Sequence, residues 1–266
     1  MSGDAKMWQQ ILTEARDEAD HEPVLADFLK TTLLERDSLE DALAFHLAQK
    51  LATPSVTAAA LHEVFSEAFA GDAAIGEAVR ADLRAVRDRD PACSRLVVPL
   101  LYFKGFHALQ AYRFAHFLWT HGRRGLAQFV QNRISQTFGV DIHPAARIGR
   151  GIFIDHGTGV VVGETAVIED DVSLLQDVTL GGTGKESGDR HPKVRAGVLI
   201  SAGAKVLGNI EIGEGAKIGA GSVVLKNVPP HTTAVGVPAR IVGSPDEDRP
   251  ALAMDQSVPP FGGEGI

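Results

Sequence analysis

Residues 194–224 read VRAGVLISAGAKVLGNIEIGEGAKIGAGSVV, and an aliphatic side chain returns every sixth position: Val194, Ile200, Val206, Ile212, Ile218 and Val224. Upstream the same beat runs through Ile142, Ile148, Ile154 and Val160, then through Val162, Ile168, Leu174 and Leu180. A small or aliphatic residue tends to follow four positions later, as at Ala146, Ile152, Val172, Val178, Ala204, Ile210, Ala216 and Ser222. Six is not a helical period. It fits short strands joined by tight corners and stacked as a parallel β-helix. The beat breaks twice. It slips by two residues between Val160 and Val162, and between Leu180 and Val194 it is interrupted by GGTGKESGDRHPK, residues 181–193. A polar, glycine-rich insertion has no place inside a stack, so it must project as a loop, and loops on a rigid scaffold are where function concentrates.

Working outward, the composition changes near residue 139. Residues 1–138 hold six glycines and fourteen of the sixteen aromatics, whereas residues 139–243 hold nineteen glycines and one aromatic, Phe153. The first segment has a helical pattern. Ser38-Leu39-Glu40-Asp41 reads as a capping box opening a helix through Leu51. Thr53-Pro54 reads as a cap with an N1 proline before a helical run over 56–69. Asp72 suits the start of a further helix through Val86, and 106–119 presents a wide apolar face. These aromatics read as packing groups within the helical domain and between subunits. Three parts follow: a helical domain over 1–138, a β-helix over 139–243, and a polar, proline-containing tail over 244–266, read as flexible. The two ends of a solenoid need covering, and the helical domain and residues 229–243 suit that role.

The charge balance, Lys+Arg 26 against Asp+Glu 34 for a net −8, supplies no basic stripe for nucleic acid. The only cysteine is Cys93, so no intramolecular disulfide is possible, and a reducing, cytoplasmic setting is the natural expectation. The N-terminus lacks an apolar signal region, and no run approaches the ~18 apolar residues of a membrane span.

A few polar residues stand out. His156, after Asp155, is a candidate general base near neutral pH, with Asp141 and Asp155 as candidate groups to fix its tautomer. From the dipeptide alone it reads first as a solvated corner histidine, and His143 reads equally as a turn residue before Pro144. Arg190-His191 closes the projecting loop, and adjacent cations there suit capture of a carboxylate or phosphate, or are simply solvated. Asp90 reads first as a turn or cap before Pro91. Cys93 reads as a small buried residue. The repeat-region histidines, His143, His156, His191 and His231, include no close pair at metal-ligand spacing, so no metal is expected.

The stretch VDIHPAARIGRGIFIDHGTGVVVGETAVIEDDVSLLQDVTLGGTGKESGDRHPKV (140–194) resembles the serine O-acetyltransferases, left-handed β-helix acyltransferases of the hexapeptide-repeat type. RDRDPA (87–92), LLYFKGFHALQAYR (100–113), GNIEIGEGAKIGAGSVVL (208–225) and PPHTTAVGVPARIVG (229–243) extend the resemblance over nearly the whole chain. It implies an α+β protein that transfers acetyl from acetyl-CoA, a co-substrate rather than a bound cofactor, to the L-serine hydroxyl, the step that activates serine for cysteine biosynthesis. By the same resemblance His156 is the base and Asp141 its orienting partner. Arg190 and His191 hold the serine carboxylate, and Asp90 and Asp155 its ammonium group. Gly182, Gly184, Lys185, Ala202, Gly203, Lys217, Gly219 and Ala220 line the CoA channel. The resemblance further implies trimers with sites between neighbouring subunits, pairing of trimers into hexamers through the helical domains, inhibition by L-cysteine, and docking of the terminal Gly265-Ile266 into cysteine synthase (O-acetylserine sulfhydrylase).

Three alternatives remain open on the sequence. A β-helix acetyltransferase for a sugar or antibiotic leaves Arg190-His191 without a role. A non-catalytic scaffold predicts that His156→Ala changes nothing. A sugar-nucleotide transferase needs an N-terminal nucleotide-binding βαβ unit, which the glycine-poor first half does not offer.

Overall fold

The six-residue beat becomes strands two or three residues long, three to a turn. The computed structural model describes residues 3–184 and 187–258. The first coil holds β1 (Asp141–Ile142), β2 (Arg147–Ile148) and β3 (Phe153–Ile154). The second holds β4 (Val161–Val162), β5 (Val167–Ile168) and β6 (Ser173–Leu174). The third holds β7 (Thr179–Gly181), β8 (Lys193–Val194) and β9 (Leu199–Ile200). The fourth holds β10 (Lys205–Leu207), β11 (Glu211–Ile212) and β12 (Lys217–Ile218), and β13 (Val223–Val224), β14 (Thr233–Gly236) and β15 (Ala239–Gly243) close the series. They stack into three faces: β1-β4-β7-β10-β13, β2-β5-β8-β11, and β3-β6-β9-β12-β14-β15. All pairings are parallel except the terminal β14–β15 hairpin. The result is a left-handed parallel β-helix behind an all-helical domain.

The second residue of each strand from β1 to β14 points inward. Val162, Leu174, Leu180, Val194, Ile200, Val206, Ile212 and Ile218 are all buried. Burying each such side chain contributes roughly 1.5–3 kcal/mol, so the interior largely holds the stack. Val160 does not belong to this row, contrary to the sequence reading. It is buried two places before the inward Val162, the position that Ala146, Ile152, Ala166 and Val172 occupy in other coils. The slip therefore lies earlier. Most corners use four residues, such as 175–178, but β3 and β4 are joined by six, 155–160. The pairing offset records it: Phe153 faces Ser173 twenty residues on, whereas Lys193 faces Glu211 eighteen on. The extra pair sits where Asp155 and His156 are.

The second break lengthens the connection between β7 and β8. Val167 pairs with Lys193, an offset of 26, so eight residues leave the stack between β7 and β8.

The helical domain contains α1 (Gly3–His21), α2 (Ala26–Leu29), α3 (Leu39–Leu51), α4 (Ala58–Gly71), α5 (Ala73–Arg89), α6 (Val97–Tyr102), α7 (Lys104–Thr120) and α8 (Arg124–Phe138). Ser38 Oγ accepts from the Asp41 N–H (3.2 Å) and starts α3 as its cap pattern predicts. Asp72 caps α5, which runs three residues beyond Val86 to Arg89. The start of α4 differs from the expectation. Thr57, not Thr53, is its cap (3.3 Å to the Ala60 N–H), because Thr53 and Pro54 form a preceding turn in which Thr53 Oγ1 accepts from the Val56 N–H.

This domain covers the first coil. Arg113 of α7 pairs with the fully buried Asp82 of α5 (2.6 Å) and donates to the Gly149 carbonyl (2.8 Å). Asp82 in turn accepts from the Ile152 N–H (2.9 Å), and Tyr112 donates to the Ala146 carbonyl. Breaking such a buried pair costs about 3–5 kcal/mol, so the domain is fastened rather than tethered.

The tail departs from the flexible reading over 244–258. The short helix α9 (Pro250–Ala253) lies on the third face, where the Ala251 N–H donates to Gly197 O (3.2 Å) and Ser173 Oγ donates to Ala251 O (2.8 Å). Arg249 reaches Asp171 (3.3 Å), and Asp255 reaches Lys217 (3.0 Å). A polar composition suggested solvation, but these charges have partners on the β-helix.

Candidate active site

A three-faced coil has three edges, and the singled-out residues occupy two of them. Corners leaving the third face for the first hold Asp155-His156, Ala202-Gly203 and Gly219-Ala220. Corners leaving the first face for the second hold His143, Glu164-Thr165, Gly182, Gly184 and Arg190-His191.

At the first of these edges the six-residue corner bulges outward. His156 adopts a left-handed backbone (φ 56°), which a non-glycine residue takes at some strain, and Gly157 and Gly159 follow at φ 79°. The imidazole is 73% exposed, and its Nε2 stands 3.8 Å from Asp155 Oδ1. The start of α7 supports the corner from behind. A side chain on Gly105 would run into the Ile154 carbonyl, and Lys104 donates to Thr158 Oγ1. Asp90 ends α5, and its carboxylate accepts from the Ala92 N–H (2.8 Å), so the turn-and-cap reading holds. Asp90 also joins Asp155 in a cavity of about 670 Å³ whose walls include Pro91, Cys93, Phe153 and Met254. Burial holds the Asp155 carboxyl above its ordinary range; His156 pulls it back, and Asp90 raises it further. A second cavity, about 330 Å³ between α5, α7 and β2, contains none of the candidate site residues named from the sequence.

Asp141 does not meet His156. Its Oδ1 accepts from Gln131 Nε2 of α8 (2.8 Å), and no hydrogen bond or ion pair joins it to the imidazole. Asp141 lies on β1, beside Val161, and the added corner residues swing His156 away from the face.

The second edge is tightly made. His191 is only 7% exposed, and its ring lies so close over Gly163 that a side chain there would overlap it. Its Nδ1 accepts from the Thr165 N–H (3.1 Å) and lies 2.9 Å from Thr165 Oγ1. Burial, then the Arg190 charge, lower the His191 pKa, so at neutral pH it is not the second cation of the sequence reading. Arg190 donates to Glu164 (2.8 Å) and to Gly188 O (3.1 Å). That hydrogen bond holds the Glu164 carboxyl below its ordinary range. His143 sits in the same neighbourhood, lowered by burial, with Glu164, Asp141 and Arg190 as its charged neighbours. Glu164 and Thr165 carried no sequence signal, being single polar residues at a corner.

The expected CoA-lining set divides likewise. Gly182 lies beside Arg190 and His191, while Gly184 (φ 82°) faces open space. Gly203 (φ 73°) stacks by backbone bonds beneath its neighbours on the His156 edge. Lys217 and Gly219 do not face an open channel. Lys217 is buried against Asp255, and Gly219 is covered by Val235 and Val258. Lys185, Gly265 and Ile266 lie outside the described residues. Among the described residues no group of three or more His, Cys, Asp or Glu could hold a metal ion, and no helix is long and apolar enough to cross a membrane.

A hexapeptide β-helix with an exposed imidazole beside carboxylates at one edge and an arginine–histidine pair at another has the parts of an acyltransferase. Comparison with known proteins narrows the class. A family profile described as "Serine acetyltransferase, N-terminal" matches residues 7–111, and "Bacterial transferase hexapeptide (six repeats)" matches 191–226. A serine acetyltransferase of Escherichia coli is 63% identical over 94% of this chain and 92% of its own length. A solved serine acetyltransferase in complex with cysteine is 56% identical (TM-score 0.94, covering 96% of this chain and 99% of that one). The Brucella abortus enzyme in complex with coenzyme A is 53% identical (TM-score 0.89, 90% and 96%). The soybean enzyme complexed with serine is 58% identical (TM-score 0.88, 90% and 98%). The chain belongs to the serine acetyltransferase family, acyltransferases that use acetyl-CoA as co-substrate.

Proposed function

We propose that the two edges bind opposite ends of one α-amino acid and that His156 activates its hydroxyl. The observation that carries this is the division of charge. Asp90 and Asp155 stand with His156 on one edge and suit an ammonium group, whereas Arg190 and the neutral donor His191 stand on another and suit a carboxylate. In the reaction His156 takes the serine hydroxyl proton as that oxygen attacks the thioester carbonyl. The tetrahedral adduct then collapses to O-acetylserine, and the departing CoA thiolate recovers the proton from the imidazolium. A base used this way contributes ~10²–10⁴-fold. A thioester already has a good leaving group, so direct attack with both substrates bound needs no covalent enzyme intermediate.

Edges of one prism face apart, so one small ligand touches both only where two copies of the chain meet. We therefore propose a trimer whose neighbouring subunits each give one edge, with trimers pairing through the helical domains into a hexamer; sedimentation equilibrium at three or six times the chain mass tests this. Asp141 of an adjoining subunit, or a turned His156 side chain, completes the dyad. Cysteine, with the same ammonium and carboxylate, competes with serine. Such inhibition regulates the first step of cysteine biosynthesis in the cytoplasm, where Cys93 stays reduced. Gly265-Ile266 docks into cysteine synthase, so deleting Ile266 abolishes co-migration of the two enzymes and leaves serine acetylation intact. The experiment for the reaction is CoA-thiol release from acetyl-CoA with and without L-serine. Serine-dependent release supports the assignment; its absence from folded protein refutes it.

A further inference from the structure

One residue makes an unusual share of the hydrogen bonds at the second edge. Thr165 Oγ1 accepts from the backbone N–H of Arg190 (3.0 Å) and from that of His191 (3.1 Å). The Thr165 N–H donates to His191 Nδ1 at 3.1 Å, and Oγ1 lies 2.9 Å from the same nitrogen. A backbone N–H can only donate, so Nδ1 must offer its lone pair, and the neutral ring carries its proton on Nε2. The ring lies over Gly163, where any side chain would collide with it, and beside Gly182. The Thr165 carbonyl accepts from Lys193 Nζ (3.0 Å), fastening the returning end of the projecting loop as well. The Asp189 carboxylate, itself bound to Lys193 (2.6 Å), reaches the Thr165 side chain from the loop side.

We propose that Thr165 is the positioning residue for substrate recognition: it holds Arg190 and His191 in one arrangement and fixes His191 as an Nε2–H donor toward an acceptor oxygen of the substrate. Thr165 itself touches no substrate. The proposal deepens the carboxylate reading above and rests on it. It also separates the two imidazoles, His156 accepting a proton and His191 only offering one.

The test uses the full-length oligomer with Thr165→Val, which keeps shape and loses the hydroxyl, and Thr165→Ser, which keeps the hydroxyl. Serine KM rises about tenfold or more in Thr165→Val, the scale of leaving buried hydrogen-bonding groups unpaired, while acetyl-CoA KM stays within about twofold. Thr165→Ser restores serine KM. A serine KM in folded Thr165→Val equal to wild type overturns the proposal, as does a Ser variant no better than Val. Solid-state NMR of 15N-histidine-labelled protein, with His191 assigned by signal loss in His191→Gln, reads the ring directly. An unprotonated Nδ1 in wild type supports the Nε2–H donor that the Thr165 backbone N–H sets; a protonated Nδ1 overturns it even if Thr165→Val does not fold. Arg190→Gln separates the two layers. If it leaves serine KM unchanged, the carboxylate reading falls and takes the serine part of this proposal with it, while the ring signal still decides the geometry.

Discussion

His191 lies buried, with Thr165 on one ring nitrogen and Gly163 beneath it; His156 stands 73% exposed on a left-handed corner with one carboxylate 3.8 Å away. The first arrangement is complete within a single chain, as recognition requires when its groups must be fixed before the ligand arrives. The second is unfinished, since a base without an orienting partner lacks the second carboxylate that fixes its tautomer. If the proposed trimer forms, preorganised binding residues and an open base on separate edges are what each subunit brings to a shared site. The third edge supplies a reference, because Arg195 at one of its corners makes exposed ion pairs with Glu169 (2.7 Å) and with Glu211.

The largest effect separates base from scaffold. His156→Ala lowers kcat by ~10²–10⁴-fold while the thermal midpoint stays near wild type, because the removed ring is exposed. Steady-state kinetics with thermal unfolding check it, and a kcat within a few-fold of wild type breaks the contrast between edges.

Next is acid stability, which contrasts both site histidines with a buried pair. His46 and His107 pack edge to face (5.1 Å) and donate to the Leu101 and Leu100 carbonyls. Burial, foremost, lowers them to about 4 and about 3. Below pH 6.5 the unfolded chain takes up protons that the folded rings refuse, so stability falls as pH drops from 6.5 toward 4. The slope is about 1.4 kcal/mol per pH unit for each ring that stays neutral. Denaturant midpoints across this range show the decline, and His107→Asn flattens it.

A smaller effect comes from the seat of His191. Gly163→Ala forces the ring to shift and costs about 1–3 kcal/mol, with a raised serine KM, read by denaturant melts and serine titrations. The smallest lies on the third edge, where Glu211→Gln costs under ~1 kcal/mol and leaves kcat/KM unchanged, as exposed pairs do.

The period of six made the β-helix legible because the inward row depends only on one apolar residue per strand. That economy also misled at Val160, where an aliphatic residue two places early looked like the next beat. The displaced corner it concealed is the one that carries His156. The ends of α3 and α5 were legible from Ser38 and Asp72, whose side chains act within a few residues. Thr165, Glu164 and Gln131 were not, because each works through a partner from another element and belongs to no pattern. The tail failed for the same reason, as Arg249 and Asp255 read as solvated until Asp171 and Lys217 supply their partners.

The most direct test of the divided site is complementation between subunits. His156→Ala and Arg190→Gln are each made alone and then co-expressed, so that mixed oligomers form. If one subunit gives the base edge and its neighbour the recognition edge, about a quarter of the sites in a random mixture carry neither substitution, and serine-dependent CoA release returns to that fraction of wild type. If both edges of a site come from the same chain, every site carries one substitution, no activity returns, and the account is contradicted.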